Sequence, residues 1–462
     1  MLDDVAVACL VVDAKSASFP DPRLRARLAQ LTAKLAVNPA ESFPKALTSA
    51  ELEAGYRFLG NHVVTPDGIL SGHFDAVRAA VEKEPTALVV HDTSTFTFDP
   101  DGAREGLGRV RSAGQAFFGH VSLVLSDDVQ RRPLGLAALT TWVRGEEPSR
   151  GEKARWWESV QLSSERLGGA RNVVHLMDRE GDDYALFEHL VEGGHRFIVR
   201  LNWDRKLSKS APDSPRKLSE AMAHVECLVK REVKLSKRID GARSPKQKSA
   251  HPSRGMRKAT LSVGAATITF KRPPTQERTA APSLTLNVVR VWEAEPPEGE
   301  TPIEWLLVTS EPIDSPEALL LTVDRYRARW TIEEFFKALK TGCAFSKRQL
   351  GDYEGLINAL AVFVPIACRL LLLRSAAHNE ADAPATRVLE SDEIEVLRML
   401  GRRPLPPNPT TRDALLAVAA LGGHIKWAPD PGWLTISRGF TELALLTRGW
   451  RAAKLQHPHD QR

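Results

Sequence analysis

The first part of the chain carries apolar residues at helical spacing. Leucines recur there at steps of three and four residues, at Leu24, Leu28, Leu31 and Leu35. This spacing places one apolar stripe along a helix, because an α-helix has about 3.6 residues per turn. Asp21 and Pro22 stand just before the run, and such a pair is typical of a helix start. We therefore expect residues 1–75 to form a helical N-terminal domain.

From Ala87 the apolar runs become short, and turn-forming residues separate them. The pattern predicts three strands, a helix, a strand, a helix and a strand, in that order: 87–90, 121–125, 134–139, 152–167, 173–177, 184–191 and 196–200. This succession is the element order of an RNase H-like core. The first predicted strand leads into His91 and Asp92, and the fourth leads into Asp178.

Residues 201–304 are strand-rich and irregular. Apolar and polar residues alternate at Ala266–Phe270 and again at Leu284–Val288, as in half-buried strands. We interpret this stretch as a β insertion within the core domain, which spans residues 76–375. A strand that begins at Trp305 closes the insertion.

Two helices are predicted after the insertion, one from about Asp324 and one through Leu356–Leu373. The second run is the longest apolar stretch, but Asn358, Pro365 and Arg369 interrupt it. A membrane-spanning helix needs about 20 predominantly apolar residues. We therefore expect a buried core helix rather than a membrane span.

A proline-rich joint, with Pro404, Pro406, Pro407 and Pro409, precedes a last helical stretch. Residues 376–462 are accordingly assigned to a helical C-terminal domain. The predicted fold class is α/β: an RNase H-like core with a β-strand insertion, flanked by helical N- and C-terminal domains.

Charge adds little on its own. The 462 residues carry a formal net charge of +5, which agrees with nucleic-acid binding but is common in enzymes too. Basic residues do crowd together between Lys230 and Lys258: Arg231, Lys234, Lys237, Arg238, Arg243, Lys246, Lys248, Arg254 and Arg257. Such a stretch is most often a solvated loop, and the alternative is contact with a DNA backbone through counterion release.

Cysteine usage argues against two protein classes. The four cysteines are far apart, at Cys9, Cys227, Cys343 and Cys368, and form no CxxC pair. A zinc ribbon or a disulfide-stapled secreted domain is therefore not expected. The chain also opens on acidic residues with no export signal, so a cytoplasmic protein is expected.

The clearest candidate chemistry lies in the acidic residues at strand ends. Asp92 and Asp178 each follow a buried strand, which would hold both carboxylates at one edge of the sheet. Two close carboxylates repel one another, and a divalent cation is a natural neutraliser. Taken singly, either aspartate could as readily have a structural or capping role.

The helix after Asp324 places polar side chains on one face. Tyr326, Arg329, Glu333, Lys337 and Lys340 follow at steps of three or four. By spacing alone, a solvated amphipathic helix with a Glu333–Lys337 ion pair accounts for this face equally well.

The stretch from Tyr326 to Gly342 resembles the signature Tyr-x₂-Arg-x₃-Glu-x₆-Lys of DDE transposases of the fourth insertion-sequence family. Other blocks resemble that family in the same order, at residues 21–28, 55–58, 91–94, 178–182, 299–312 and 421–423. The resemblance covers nearly the whole chain. It implies that the N-terminal domain binds DNA and that the C-terminal domain dimerises.

The resemblance also implies residue roles. Asp92, Asp178 and Glu333 match the catalytic triad, which holds two Mg²⁺ or Mn²⁺ ions. The residues expected to bind DNA are Tyr326, Arg329, Lys340, Trp305, Trp330, Arg200, Arg23 and Arg27. Among them Trp305 matches a platform for a flipped base, with Trp330 as the opposite wall. Without the signature, both tryptophans would be read as core aromatics.

The implied function is cut-and-paste DNA transposition by a homodimer, with nicking, hairpin formation and strand transfer at transposon ends. The DNA partners are the inverted-repeat ends and the target, no membrane is involved, and the location is the bacterial cytoplasm at the nucleoid. Two alternatives remain. One is a catalytically silent relative that binds DNA ends and inhibits transposition, and the other is an RNase H-like nuclease without strand transfer.

Overall fold

The computed structural model describes residues 5–99, 104–110, 114–144, 153–208, 214–235, 253–277, 279–425 and 430–456. The chain is mixed α/β and divides into two compact units. Unit 1 comprises Met1–Gly151, Glu158–Asn172 and Trp330–Arg462, and unit 2 comprises Glu152–Trp157 and Val173–Arg329.

The elements are numbered in chain order. The helices are α1 (Val5–Lys15), α2 (Pro22–Val37), α3 (Phe43–Ala46), α4 (Ser49–Leu59), α5 (Pro66–Val81), α6 (Ala154–Arg166), α7 (Tyr184–Glu192), α8 (Leu218–Ala223), α9 (Pro316–Ala328), α10 (Thr331–Lys337), α11 (Tyr353–Asn379), α12 (Ser391–Leu400), α13 (Thr411–Leu421) and α14 (Trp433–Gln456). The strands are β1 (Ala87–Phe98), β2 (Gly108–Val110), β3 (Gly114–Ser126), β4 (Pro133–Trp142), β5 (Val173–Met177), β6 (Arg196–Arg200), β7 (Val229–Leu235), β8 (Arg257–Lys271), β9 (Ser283–Trp292) and β10 (Glu304–Thr309).

The helical start of unit 1 is confirmed, and local capping explains it. Asp21 caps α2 by accepting a hydrogen bond from the Arg23 backbone N–H at 2.8 Å. Thr48 and Glu51 form a capping box at α4, where each side chain satisfies the other's backbone N–H. The leucines of α2 that share its apolar stripe, from Leu28 onwards, are buried.

The strands of unit 1 form an antiparallel arrangement in which β3 pairs with β1, β2 and β4. Strand β1 runs on to Phe98, well past the predicted end at Asp92. Asp92 therefore lies inside the strand, opposite Val121 of β3, and the prediction that it follows the strand is wrong. The physical reason is the alternation of threonine with phenylalanine after Asp92, which continues the extended backbone.

The core of unit 1 is built around α11. This helix contacts α4, α5, α13 and β4, and most of its side chains are buried. Within the described part of the chain it alone is long and apolar enough to cross a membrane, yet 83% of that apolar window is buried inside the protein. The expected core helix is thereby confirmed.

Unit 2 contains a mixed sheet with the strand order β5-β6-β10-β9-β8-β7. Strands β5 and β6 are parallel, and all other neighbours are antiparallel. The predicted strands of the β insertion are confirmed as β8 and β9, with β7 beside them.

The basic stretch of residues 230–258 is described only at its two ends. There Arg231 pairs with Asp324 at 2.9 Å and Lys258 with Glu232 at 2.9 Å. Arg257 pairs with Glu293. Five other basic residues of the stretch, Lys237, Arg238, Arg243, Lys246 and Lys248, lie outside the described residues. Three of the described basic side chains thus have acidic partners, and the DNA-contact reading of the stretch stays a prediction.

The helix predicted from Asp324 differs from the one observed. Helix α9 already begins at Pro316, where Ser315 caps it by accepting from the Ala318 N–H at 3.2 Å. It ends at Ala328, and α10 begins at Thr331. At the joint the Arg329 N–H donates to the Tyr326 carbonyl and the Glu333 N–H to the Trp330 carbonyl, both at 3.1 Å. These bonds span three residues rather than four, so the single continuous helix is wrong.

Candidate active site

The expected site residues divide between the units. Unit 1 holds Asp92, Glu333, Lys340, Trp330, Arg23 and Arg27, and unit 2 holds Asp178, Arg200, Trp305, Tyr326 and Arg329. Each group is built here from its own unit.

In unit 1 the signature lysine binds strand β1. The Lys340 ammonium donates to the Ser94 hydroxyl and to the Thr95 carbonyl, each at 2.7 Å. Lys340 lies in a π-helical turn, Ala338–Gly342, that follows α10. Helix α10 itself contacts β1, and Glu333 stands in its first turn. The Lys340 ammonium therefore joins this π-helical turn to β1, the strand that carries Asp92.

The electrostatics of Lys340 identify the groups that face it. Burial lowers the pKa of its ammonium, and the negative charges of Glu333 and Asp92 oppose that effect. Two carboxylates from distant parts of the sequence thus stabilise the same positive charge. We call Asp92, Ser94, Glu333 and Lys340 the Lys340 cluster.

Asp92 is held in place by its neighbours on the strands. Its carboxylate accepts a hydrogen bond from the Thr93 N–H at 2.8 Å. The Thr93 hydroxyl is 2.8 Å from Nδ1 of the buried His120 on β3. One residue before Asp92, the buried His91 ring is 3.0 Å from the Ser122 hydroxyl. Both histidines therefore brace the pairing of β1 with β3.

In unit 2 Asp178 directly follows β5, as predicted. Its carboxylate accepts a hydrogen bond from the Glu180 N–H at 2.8 Å, which caps the short 3₁₀ turn Arg179–Gly181. The side chain is only partly buried. A capping role is thus present, and it leaves a partly exposed carboxylate that can still meet a ligand.

A tyrosine–arginine–tryptophan group lies near Asp178. The Arg200 guanidinium is 5.8 Å from the centre of the Trp305 ring, and that ring is 6.1 Å from the ring of Tyr326. The Tyr326 hydroxyl also interacts with Arg200, and this interaction raises the pKa of the Arg200 guanidinium. Burial raises the pKa of Tyr326, while the charges of Arg200 and Arg329 oppose this effect.

Electrostatic interactions also link this group to Asp178. The negative charge of Asp178 raises the pKa of the Tyr326 hydroxyl further, so the two side chains feel one another. Burial lowers the pKa of Arg200, and the charge of Arg329 contributes to the lowering. The structure therefore brings Asp178, Arg200, Trp305, Tyr326 and Arg329 together. We call these five residues the Tyr326 cluster.

Sequence reasoning missed a buried ion pair that supports this cluster. The Asp182 side chain forms an ion pair with Arg205 and is 0% exposed. It also accepts hydrogen bonds from the backbone N–H groups of Asn202 at 2.6 Å and Trp203 at 2.9 Å. The pair thus joins the segment that follows β6 to the turn after Asp178. Arg200 is the last residue of β6, directly before that segment. Nothing in the sequence near Asp182 points to Arg205.

Three of the expected DNA-binding residues belong to neither cluster. Trp330 is 59% exposed, with the Lys337 ammonium 5.8 Å from its ring, and is therefore not a core aromatic. Arg23 is exposed on α2, and Arg27 on the same helix is half-buried.

The carboxylates of the two clusters are candidate metal ligands. Across the described ranges, no group of three or more histidine, cysteine, aspartate or glutamate side chains is arranged to hold a metal ion. Within unit 1, Asp92 and Glu333 already face one cation, the Lys340 ammonium. Carboxylate oxygens are the donors that Mg²⁺ and Mn²⁺ prefer. The donor chemistry therefore suits these ions, with a pair of carboxylates in unit 1 and a single one in unit 2.

Comparison with known proteins identifies the N-terminal segment. Residues 12–64 match the family model of transposase DNA-binding domains. Among solved structures, the chain is similar to the piggyBac transposase in a cryo-EM structure of its synaptic complex with hairpin DNA, at 10% identity and a TM-score of 0.34. That alignment covers 99% of this chain and 81% of the other. The matched segment of this chain includes α2 with Arg23 and Arg27, so both arginines lie in a transposase-type DNA-binding segment.

Proposed function

We propose that this protein is a cut-and-paste DNA transposase of the fourth insertion-sequence family, with an RNase H-like catalytic core. The observation that carries the proposal is the Lys340 cluster, in which the charges of Asp92 and Glu333 act on one partly buried ammonium. The transposase DNA-binding match of residues 12–64 supports the DNA substrate. The signature spacing from Tyr326 to Lys340 supports the family.

Asp92, Asp178 and Glu333 are the residues that would hold two Mg²⁺ or Mn²⁺ ions. When bound, such ions supply charge stabilisation at phosphorus and lower the pKa of water to within reach of neutral pH. The chain's own contribution is to hold these carboxylates on rigid elements. Asp92 is fixed inside β1, and Asp178 is fixed by its bond to the Glu180 N–H.

The Tyr326 cluster is proposed to bind the phosphates of the transposon end. An arginine suits this task because its planar guanidinium can donate two parallel hydrogen bonds to a phosphate. Arg200 and Arg329 would supply such donors, and the Tyr326 hydroxyl would supply a further one. Lys340 would act as a point charge, in unit 1 beside Asp92 and Glu333.

The tryptophans are proposed to receive a base when the DNA end opens. Unstacking a base costs a few kcal/mol, and stacking on an aromatic ring offsets about 1–3 kcal/mol of it. Trp305 is half-buried beside Arg200, which orients its ring, and Trp330 is exposed. We propose Trp305 as the platform and Trp330 as the opposite wall.

The proposed reaction has four phosphoryl transfers. Water first attacks phosphorus at the transposon end and releases a 3′-hydroxyl. That hydroxyl attacks the opposite strand to close a hairpin, water reopens the hairpin, and the 3′ end then joins target DNA. Two subunits would hold two ends, so a homodimer is proposed, at the nucleoid in the bacterial cytoplasm.

The test is incubation of the protein with Mg²⁺ and the DNA that flanks its own gene. We compare wild type with Glu333→Ala and with a matched control, Glu334→Ala, because Glu334 neighbours Glu333 and pairs with Lys337 at 2.6 Å. Hairpinned ends are expected from wild type and the control, whereas Glu333→Ala should bind DNA without nicking it. Nicking by Glu333→Ala would overturn the assignment.

The same assay separates the two alternatives. If wild type binds ends and never cuts them, the protein is a silent end-binding relative. If wild type produces only linear ends without hairpins, it is an RNase H-like nuclease that lacks strand transfer.

A further inference from the structure

A cavity of about 390 Å³ lies in the C-terminal helical part of unit 1. It is lined by Arg402, Arg403, Pro404, Leu416, Ala420 and His424. The first three residues belong to the loop after α12, and the last three come from α13 and the residues just beyond it. The volume falls within the range of about 300–1,000 Å³ that small-molecule sites occupy. The cavity shares no residue with the Lys340 cluster or the Tyr326 cluster.

The polar side of the cavity is basic. Of its lining residues, two are arginines, one is a histidine and none is acidic. Arginine keeps its charge at any physiological pH, so Arg402 and Arg403 place two fixed positive charges next to each other. Neither of them makes an ion pair with any residue that the structure describes.

Neighbouring cations in the same region are neutralised. Arg412 pairs with Asp430 at 2.6 Å, Arg451 with Asp392 at 2.9 Å, and Lys454 with Glu395 at 3.0 Å. Arg402 and Arg403, in contrast to these three cations, share one cavity whose lining holds no acidic residue. Like charges held together without a counter-charge repel one another, and an anion bound between them removes that cost.

The other half of the lining is apolar. Leu416 and Ala420 are four residues apart on α13 and therefore share one face of the helix, and Pro404 adds a further apolar surface. A cavity lined by both cationic and apolar side chains suits an amphipathic anion. A nucleotide has this character, because its phosphate is negatively charged and the flat ring of its base can pack against an apolar surface.

We propose that this cavity binds a nucleotide unit, with its phosphate on Arg402 and Arg403 and its sugar and base against Leu416, Ala420 and Pro404. Arginine presents five N–H donors in a planar fork, which matches phosphate oxygens. The His424 imidazole supplies a further hydrogen-bonding group at the same cavity. The nucleotide unit can come from a free nucleotide or from a DNA strand, and both present the same phosphate chemistry.

The test is titration of the full-length protein with deoxyadenosine monophosphate, followed calorimetrically. Arg402→Ala/Arg403→Ala should weaken binding at least tenfold. The matched control is Arg438→Ala/Arg448→Ala, which removes two exposed arginines from α14 outside the cavity and should leave binding within twofold. Ala420→Phe fills the cavity without changing its charge, and it too should weaken binding at least tenfold.

Two results would overturn the proposal. One is the absence of nucleotide binding by wild type, and the other is an equal loss in the pocket variant and the α14 control, which would show unspecific charge attraction. Random-sequence duplex DNA then distinguishes the source. If it displaces the nucleotide from wild type, the natural occupant is a DNA strand; if it does not, the occupant is a free nucleotide. None of these outcomes depends on DNA cleavage, so failure here is separable from failure of the proposed transposase activity.

Discussion

The Lys340 ammonium lies 2.7 Å from the Ser94 hydroxyl, although the two residues are 246 positions apart in the chain. This bond ties the π-helical turn after α10 to strand β1, and it does so beside Asp92 and Glu333. A cation in this position offsets part of the negative charge of the two carboxylates and also fixes the elements that carry them.

Replacing Lys340 tests this double role. Lys340→Met should lower the free energy of unfolding by about 1–2 kcal/mol, because two carboxylates lose a partly buried partner. Added Mg²⁺ should then raise the thermal midpoint of the variant more than that of wild type, since a divalent ion can replace the lost charge. Differential scanning fluorimetry with and without Mg²⁺ measures both effects.

Lys337→Met is the control for that experiment. Lys337 is exposed and pairs with Glu334 on the surface, so its loss should change stability by less than about 0.5 kcal/mol. An equal response of both variants to Mg²⁺ would contradict the electrostatic role of Lys340.

Replacement by asparagine should mainly lower stability at Asp182 and mainly lower cleavage activity at Asp178. Asp182→Asn leaves the buried Arg205, whose side chain is 9% exposed, without its charged partner. We expect a loss of about 3–5 kcal/mol in unfolding free energy. Asp178→Asn should cost less than about 0.5 kcal/mol, because asparagine also caps a turn, yet it should abolish cleavage of DNA ends. Urea unfolding and the end-cleavage assay, run on both variants, check these two expectations. An Asp182→Asn variant as stable as wild type would contradict the stabilising role of the Asp182–Arg205 ion pair.

The two tryptophans proposed to receive a base should differ in their effect on stability. Trp330→Ala should change the unfolding free energy by less than about 0.5 kcal/mol, because the side chain is largely exposed. Trp305→Ala should lower it by about 1–2 kcal/mol, since the half-buried ring packs against Arg200 and Tyr326. Both should bind hairpin DNA about tenfold more weakly if they stack on a base. Unchanged hairpin affinity in both would remove the base-stacking role.

A buried pair in unit 1 predicts a pH effect on stability. Burial raises the pKa of Asp13 to about 6 and lowers the pKa of His73 to about 4. Nδ1 of His73 lies 4.0 Å from the Asp13 carboxylate, while its Nε2 accepts the Leu136 N–H at 3.0 Å. The raised pKa of Asp13 means that stability is lost as pH rises from 3.8 through about 6. The lowered pKa of His73 means that stability is lost as pH falls from 6.5 through about 4.

In wild type the two effects oppose one another over most of that window. Asp13→Asn removes the first effect and leaves the second. The variant should therefore lose up to about 3 kcal/mol between about pH 6.5 and pH 4, while wild type changes by less than about 1 kcal/mol. Urea midpoints at both ends of the window give the comparison, and parallel pH profiles for the two proteins would contradict it.

Periodicity predicted the regular elements well where the pattern was local. Strand β6 was predicted at 196–200 and is found at Arg196–Arg200, and the Asp21-Pro22 start of α2 is also observed. Two local sequence patterns explain the differences at the end of β1 and at the start of α9. Alternating Thr and Phe residues after Asp92 extend β1, and Ser315 with Pro316 marks the earlier start of α9.

Other features had no local signal at all. Helix α9 ends and α10 begins around Arg329 and Trp330, and neither residue is a glycine or a proline. Nothing local in the sequence therefore predicts this break. The Asp182–Arg205 pair and the bond from Lys340 to Ser94 join residues that are distant in sequence, and side-chain spacing cannot foresee such contacts. The grouping of Tyr326, Arg329 and Arg200 was foreseen only through the family resemblance. Their roles on DNA stay predictions.

The joint at Arg329 and Trp330 bears on how relatives of this protein can be found. The signature is written as one string from Tyr326 to Lys340, but its first half ends α9 and its second half spans α10 and a π-helical turn. Each half forms its own local hydrogen bonds. A search that scores the two halves separately, and tolerates a changed residue count between them, should therefore recover divergent members that a single fixed pattern overlooks.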